Sequence, residues 1–520
     1  MVMDAMWKDL GKAAEYINTE GIALRDYQFN IIRSVLSHGN TLVVLPTGLG
    51  KTLIGAVVIA DSLSKGRKAI FLAPTKPLAE QHYATLQKRL RLGPGELLLL
   101  VGSVNKSKRE ELERNARVIV ATPQTISNDL KNAIFSLDEF SCVVFDECHR
   151  AVGKYAYTYL ANECLVRGIL VLGLTASPGS KKERINALVE ALGIQRIELR
   201  SSGDPDVEKY VMSRNMHVIN IELSDTIKQI SSLLAPDADA ALRSLNKIGL
   251  LHFRNFDSIP KGRLIRTGDD INKIQATNYK FAAIYSYVKL LNITHAYDLL
   301  RSEGIYPFKL YFDSLDAREK KSRGLENLLA SDAVKKARKL ADDAIKLGEE
   351  HPKVFAVLDT LKDYRNRSAI IFVQYRSTIK MLTEFITNNG FTAKAFVGKK
   401  EGITQEAQKA IISDFRERRF DILVASSIGE EGLDIPNVDV VIFYEPIPSE
   451  IRNIQRKGRT GRFRDGEVYV LVARGTKDEV YMYISRQKEL KMAALIKSIN
   501  RSLELKWKNT LSSDKNQQRL

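Results

Sequence analysis

Short apolar runs recur along the first 200 residues, each followed by a helical pattern. That alternation limits the fold more than any other feature of the chain. The runs are Thr41-Leu42-Val43-Val44-Leu45, then 69–73, 97–101, 118–121, 142–145 and 169–174. They are rich in Val, Ile and Leu, and most end at Gly, Pro, Ser or Asp. Parallel strands are buried on both faces, so they read as unbroken apolar runs, and helices must carry the chain back between them. A doubly wound sheet is predicted, with any ligand at the carboxyl ends of its strands.

The alternation returns after His351-Pro352, with strands predicted over 369–373, 392–396, 421–425, 438–443 and 467–472. Between the two halves, from about 218 to 350, glycine and proline thin out and strand-like runs disappear. The stretch "KFAAIYSYVKLLNITHAYDLLRSEG" sets apolar residues three and four apart, which predicts helix. A chain of 520 residues is too long for one core. The fold class expected is α/β: two doubly wound parallel-sheet domains with an all-helical insertion between them. The boundaries expected are 1–217, 218–350 and 351–500, then a polar tail, 501–520, disordered at its end.

Composition narrows the partners. The formal net charge is +17, an excess that favours polyanions, nucleic acid first among them. A general basic bias is the competing reading. Residues 241–350 alone hold 20 Lys+Arg against 14 Asp+Glu. Two clusters stand out there: Lys335, Lys336, Arg338 and Lys339, and Arg254, Lys261, Arg263 and Arg266. Each is either a grip on phosphates or a solvated face. Cys142, Cys148 and Cys164 make no disulfide framework, and no CxxC pair suggests zinc, so a reducing cytosol is expected. No charge-free apolar stretch reaches the roughly 18 residues of a membrane span, and the N-terminus lacks the order of a signal peptide. The expected location is cytoplasmic, not secreted.

"LPTGLGKT" (45–52) follows the first apolar run and opens a helical pattern. In a phosphate loop, backbone N–H groups and a helix N-terminus hold phosphates, a lysine reaches the terminal ones, and a neighbouring hydroxyl binds Mg²⁺. Pro46, Thr47, Gly48, Leu49, Gly50, Lys51 and Thr52 stand in those places. Leu45 replaces the glycine that usually opens the pattern. An ordinary glycine turn before a helix is the bland alternative. "VVFDECHR" (143–150) supplies the carboxylates that ATP hydrolysis needs. Asp146 suits Mg²⁺, Glu147 suits the attacking water, and His149 suits coupling to a neighbouring element. Cys148 reads as a small packing residue rather than a nucleophile.

Phosphate loop and DECH together resemble a superfamily two helicase with RecA-like motor domains, and further motifs follow in order. "LRDYQ" (24–28) resembles the adenine-reading motif, which implies that Gln28 meets the base edge and Arg25 lies against it. "APTKPLAEQH" (73–82) and "ATPQT" (121–125) resemble strand-gripping motifs. They imply nucleic-acid contacts from Pro74, Thr75, Lys76, Thr122 and Pro123; Gly102 is a further candidate for a backbone grip on phosphate. "LTASPG" (174–179) resembles the motif that links hydrolysis to domain movement, through Thr175 and Ser177. In the second half "IIFVQYRST" (370–378) resembles another nucleic-acid motif, implying Gln374, Tyr375 and Arg376, with Tyr375 equally able to pack on its own domain. "SSIGEEGLDIP" (426–436) and "QRKGRTGR" (455–462) resemble the motifs that complete the ATP site. They imply Ser427 on nucleic acid, Gly432 and Asp434 at the nucleotide, Gln455 beside it, and Arg459 and Arg462 as arginine fingers.

As a set these motifs closely resemble the archaeal Hef helicases and the Fanconi anaemia M helicases, over roughly residues 15 to 495. The resemblance implies ATP and Mg²⁺ as cofactors, and an ATP-driven motor on branched DNA such as replication forks and four-way junctions, at the nucleoid. Hef proteins commonly carry DEAH, whereas Cys148 makes DECH here, as in the RIG-I-like RNA translocases. A duplex-RNA-dependent ATPase is therefore the competing reading. A nucleic-acid clamp with a dead ATP site is disfavoured by intact Lys51, Asp146, Glu147, Arg459 and Arg462. Some relatives continue into a nuclease. No nuclease-like acidic cluster follows the last motor motif here, so the chain reads as the helicase portion, with a separate nuclease or replication factor as a possible partner.

Overall fold

The computed structural model describes residues 2–46, 48–102, 115–153, 155–201, 204–208, 210, 215–275, 278–397, 404–426, 438–446 and 467–517. Seven strands form the first sheet: β1 (Thr41–Val44), β2 (Lys68–Leu72), β3 (Leu97–Leu100), β4 (Val118–Ala121), β5 (Phe140–Asp146), β6 (Leu170–Thr175) and β7 (Arg196–Leu199). Their order is β3-β4-β2-β5-β6-β1-β7, and every pairing is parallel. Side chains alternate across the sheet, as a strand demands. Val43 and Leu45 enter one apolar layer with Ile54, Val57 and Val58. Leu42 and Val44 enter the other with Tyr157, Leu160 and Ile185. Burying each such side chain contributes about 1.5–3 kcal/mol.

Register sets the site. Val44 lies opposite Thr175, and Asp146 lies opposite Leu174. The ends of β1, β6 and β5 are therefore level, and the loops leaving them share one rim.

The second sheet holds β8 (Asn215–Ile221), β9 (Ala369–Val373), β10 (Ala393–Phe396), β11 (Ile422–Ser426), β12 (Val440–Phe443) and β13 (Glu467–Ala473), in the order β10-β11-β9-β12-β13-β8. All of these pairings are parallel as well. β8 was not expected: the predicted boundary at 217/218 falls inside it. Asn215 pairs with Glu467 and Ile221 with Ala473, so the chain joins the second sheet before its helical segment begins. The helices are thus inserted after the first strand of the second unit. As an edge strand, β8 leaves Met216 and Val218 exposed and has no unbroken apolar run to reveal it.

Among the described residues six α-helices make the insertion: Asp225–Lys247, Lys261–Asn272, Asn278–Ser302, Ile305–Asp316, Arg323–Ala330 and Asp332–Lys346. Their core includes Ile227, Leu234, Leu290, Ile293, Phe308 and Phe312. Its root is fixed to the second unit by buried polar contacts. Lys353 Nζ reaches Ser302 O at 2.9 Å, Thr378 donates to Glu303 Oε2 at 2.9 Å, and Tyr444 donates to Glu303 O at 3.1 Å. Lys353 is fully buried and ion-paired with Asp478. Two such charges removed from water need each other, so losing either one is costly.

The last helix also departs from expectation. Where a polar tail was predicted from 501, one helix runs from Lys477 to Gln517. Met492, Ile496 and Ile499 are buried in an apolar layer of the first sheet.

Candidate active site

The loop after β1 turns sharply before the helix Lys51–Ser64. Gly50 caps that helix at φ 81°, in the left-handed region that favours glycine. A Cβ there would lie 2.3 Å from Gln28 Nε2. Gln28 is buried and braces the loop: Nε2 donates to Leu49 O at 3.1 Å, and Oε1 accepts from the Arg25 N–H at 3.0 Å. Tyr27 donates to the same Leu49 carbonyl at 2.8 Å. The Arg25 guanidinium lies over the Tyr210 ring. Pro46, Gly48 and Leu49 form the loop, and Thr52 starts the helix beside Lys51. Lys51 Nζ donates to Leu45 O at 2.9 Å.

Asp146 ends β5 with its carboxylate buried. Its Oδ2 lies 2.8 Å from His82 Nε2. Burial alone raises a carboxyl, but the charge and hydrogen bond of His82, and then Lys51, hold Asp146 below its ordinary range. An ionised carboxylate only accepts, so His82 Nε2 carries the proton. Tyr157, also buried, lies 2.7 Å from the Asp146 carbonyl and fixes the strand end.

Glu147 is left-handed at φ 47°, strained for a residue with a Cβ. Its Oε2 lies 3.2 Å from His149 Nδ1, close enough for ion pairing but without hydrogen-bond alignment. That oxygen is buried with no hydrogen-bond partner. His149 Nδ1 is 3.1 Å from Thr175 Oγ1, which donates to Ser177 O at 3.2 Å. The Thr175 hydroxyl has one proton, so His149 is the donor in that pair. Ser177 Oγ in turn donates to Met492 Sδ at 2.9 Å. Cys148 is fully buried, and burial pushes its thiol well up, which makes it inert packing.

Three features fit a nucleoside triphosphate with magnesium: the loop turned by the left-handed glycines Gly48 and Gly50, Lys51 beside Asp146, and the orphaned oxygen of Glu147. Among the described residues no cluster of three or more His, Cys, Asp or Glu side chains could hold a metal alone. Magnesium, which keeps several waters and takes phosphate oxygens, needs only one or two protein ligands. Asp146 at the end of β5 and Thr52 in the first turn of the helix after the loop are the candidates for that role.

The expected nucleic-acid residues occupy the other half of the same rim. Pro74, Thr75 and Lys76 follow β2, Gly102 follows β3, and Thr122 and Pro123 follow β4; these three strands are neighbours. Thr75 and Thr122 precede the helices Lys76–Arg89 and Pro123–Lys131, whose N-termini suit phosphate. Thr75 Oγ1 is buried without a partner, and Thr122 Oγ1 pairs with Thr125 Oγ1 at 2.8 Å. In the second unit Gln374 is exposed at the end of β9. Tyr375 and Arg376 begin the helix Arg376–Asn388. Burial pushes the Tyr375 phenol up, and its ring centroid is 6.2 Å from that of His295 in the insertion. Thr47, Ser427, Gly432, Asp434, Gln455, Arg459 and Arg462 lie outside the described residues.

His82 was missed. It closes the motif 73–82, where a lone histidine on a helix reads as packing, and only the fold brings it to Asp146. Its helix joins the two halves of the rim, with Lys76 at its start and His82 two turns on. The basic clusters also divide. Arg338 pairs with Asp313 and Asp316, and Arg263 with Asp270. Arg254, Lys261, Arg266, Lys335, Lys336 and Lys339 are exposed.

Residues 25–185 match the DEAD/DEAH box helicase family, and residues 352–464 match the helicase conserved C-terminal domain. A protein of Methanocaldococcus jannaschii, named as an ATP-dependent RNA helicase, is 35% identical over 492 residues, covering 93% of this chain and 62% of its own. The ATP-dependent DNA helicase fml1 of Schizosaccharomyces pombe is 31% identical over 503 residues, covering 90% of this chain and 59% of its own. The chain thus spans less than two thirds of the length of either relative. The crystal structure of the Pyrococcus furiosus Hef helicase domain is similar at 38% identity and a TM-score of 0.74, over 90% of this chain and 100% of that one.

Proposed function

We propose that this chain, which belongs to the Hef helicase family, is an ATP-hydrolysing motor that moves on DNA and acts on branched DNA such as forks and four-way junctions. The observation that carries this reading is the shared rim. Phosphate-holding and phosphate-gripping loops leave neighbouring strands of one sheet, and the helix Lys76–Arg89 touches both halves through Lys76 and His82.

Bound ATP supplies the transferable phosphoryl group, and magnesium offsets its charge. Lys51 and the N–H groups of the 48–52 turn hold the phosphates. His82 keeps Asp146 ionised, and Asp146 would hold the magnesium that accompanies ATP. Glu147 Oε2 accepts the proton of the attacking water, with His149 steadying its carboxylate. Arg459 and Arg462 are proposed to complete the site from the second unit.

The insertion supports the branched-DNA reading: six cations of its two basic clusters are exposed, and it is fixed to the second unit through Glu303 and Lys353. It would grip a second arm of the junction through phosphates, without reading sequence. The anchor makes deletion of the insertion a poor test, because Lys353 and Asp478 would lose their cover. Alanine at Arg254, Lys261, Arg266, Lys335, Lys336 and Lys339 is the better one. The expected result is unchanged hydrolysis with single-stranded DNA and a lost preference for forked over linear duplex. A retained fork preference contradicts the role given to the insertion.

The name of the Methanocaldococcus jannaschii relative favours a second reading, a motor on duplex RNA. Backbone grips do not separate the two, and an RNA-specific site must sense the 2′-hydroxyl. Action in the cytoplasm at the nucleoid, with a nuclease or replication factor in trans, belongs to the DNA reading.

A further inference from the structure

The helix Lys477–Gln517 leaves the second unit and returns to the first. Its first turn is held by the second unit and the insertion together. Lys477 pairs with Asp298 of the insertion, and Asp478 pairs with the buried Lys353. Asp478 Oδ2 also accepts from the Ala473 N–H at 3.1 Å, and Arg301 donates to Gly475 O at 2.7 Å. About 21 Å further along, at 1.5 Å per residue, Met492 reaches the first sheet.

The contacts there lie on one helical face. Met492, Ile496, Ile499 and Leu503 are four, three and four residues apart, the spacing of a single stripe. Asn500 Oδ1 accepts the Ile197 N–H of edge strand β7 at 2.9 Å, and Glu504 pairs with Arg196 at 2.7 Å. Met492 Sδ accepts the hydroxyl proton of Ser177 at 2.9 Å. A continuous run of contacts therefore leads from Lys353 and Asp298, through one helix, to Ser177, Thr175, His149 and Glu147.

We infer that this helix is a strap that transmits movement of the second unit and its insertion to the Thr175–Ser177 turn, and that Met492 is a positioning residue for hydrolysis. A helix cannot shorten, so a change in spacing between the units must either slide Met492 along the turn or break the Asn500 and Glu504 contacts. Either event alters how the Ser177 and Thr175 hydroxyls hold His149 beside Glu147. The inference rests on the proposed reading only in taking hydrolysis to be stimulated by nucleic acid, whichever kind stimulates most.

The test uses the full chain with Met492→Leu, which keeps volume and removes the sulfur acceptor, and with Asn500→Leu and Asn500→Gln. Asparagine and glutamine both offer an oxygen to the Ile197 N–H and an N–H to Glu504, whose Oε1 the Asn500 amide meets at 3.2 Å; leucine offers neither. ATP hydrolysis is measured alone and with the most stimulating member of a set of DNA and RNA substrates, alongside melting temperature. Asn500→Leu is expected to keep the unstimulated rate and the KM for ATP, whereas Met492→Leu, at the Ser177 contact itself, lowers the unstimulated rate as well. The stimulated kcat should fall about tenfold in both, and Asn500→Gln should recover part of it. Equal stimulated rates in all three variants and the parent overturn the strap, as does an equal loss in Asn500→Gln and Asn500→Leu. Strongest stimulation by RNA overturns the DNA reading instead, and the strap is then judged on RNA.

Discussion

His82 Nε2 lies 2.8 Å from Asp146 Oδ2, and both side chains are buried. One belongs to a helix that begins at a nucleic-acid motif, the other to the strand end that faces the phosphate loop. A charge-assisted bond of this kind contributes about 1.5–3 kcal/mol and would leave the other carboxylate oxygen for the proposed magnesium. His82→Ala should raise the magnesium concentration for half-maximal hydrolysis about tenfold, as loss of an outer partner of a metal ligand does. His82→Gln, which keeps an N–H donor, should recover part of it. A magnesium titration of hydrolysis by the three proteins decides the matter; identical titrations would remove His82 from the site.

Glu147→Gln keeps size and shape but removes the base. Its kcat should drop by about 10²–10⁴ while ATP still binds. Steady-state rates paired with nucleotide binding by calorimetry check this. A kcat within a few fold of the parent would mean that the orphaned Oε2 does not face the water.

Lys51→Ala removes the cation nearest the phosphates. Hydrolysis should fall by about a hundredfold or more. Surviving hydrolysis would show the phosphate loop to be misassigned.

Gly50→Ala forces a Cβ to within 2.3 Å of Gln28 Nε2 at a φ of 81°. The Gln28–Leu49 bond must break or the loop must shift. A left-handed alanine costs about 1–2 kcal/mol on its own. Weaker ATP binding and a lower melting temperature should appear together; an unaffected protein would show that the brace is not needed.

Stability should fall as pH rises through the range of Glu303. Burial raises its carboxyl from 4.5 to about 7, against the pull of Lys353. The folded protein then holds a proton that the unfolded chain has released, and that advantage is greatest at the acid end. The slope runs from near 4.5 up to about 7 and flattens beyond, for a total of ~3 kcal/mol. Glu303→Gln should be flatter across that window. Melting temperatures of both proteins between pH 5 and 8 provide the comparison, and parallel curves would count against the assignment.

Central strands were legible because burial on both faces leaves unbroken apolar runs, and β9 was placed to the residue. Of the four edge strands, β3 and β10 were legible too, but β7 and β8 were not. β7 carries Arg196 and Glu198, and β8 mixes His217 and Asn220 with apolar residues, so neither shows an apolar run. The phosphate loop and the acids after β5 announced themselves through spacing. His82 did not, since its role depends on which strand lies beside its helix. Arg263 and Arg338 looked like part of a basic grip but spend their charge on nearby aspartates. The strap was concealed by a polar surround, although Met492, Ile496, Ile499 and Leu503 already carried its period.

The account stands most directly on the rate of ATP hydrolysis measured against one matched panel at a single salt concentration, since phosphate-dominated binding weakens steeply as salt rises. The panel is no nucleic acid, single-stranded DNA, linear duplex DNA, forked DNA, four-way DNA and duplex RNA. Strongest stimulation by forked or four-way DNA is predicted. Strongest stimulation by duplex RNA would contradict the DNA reading.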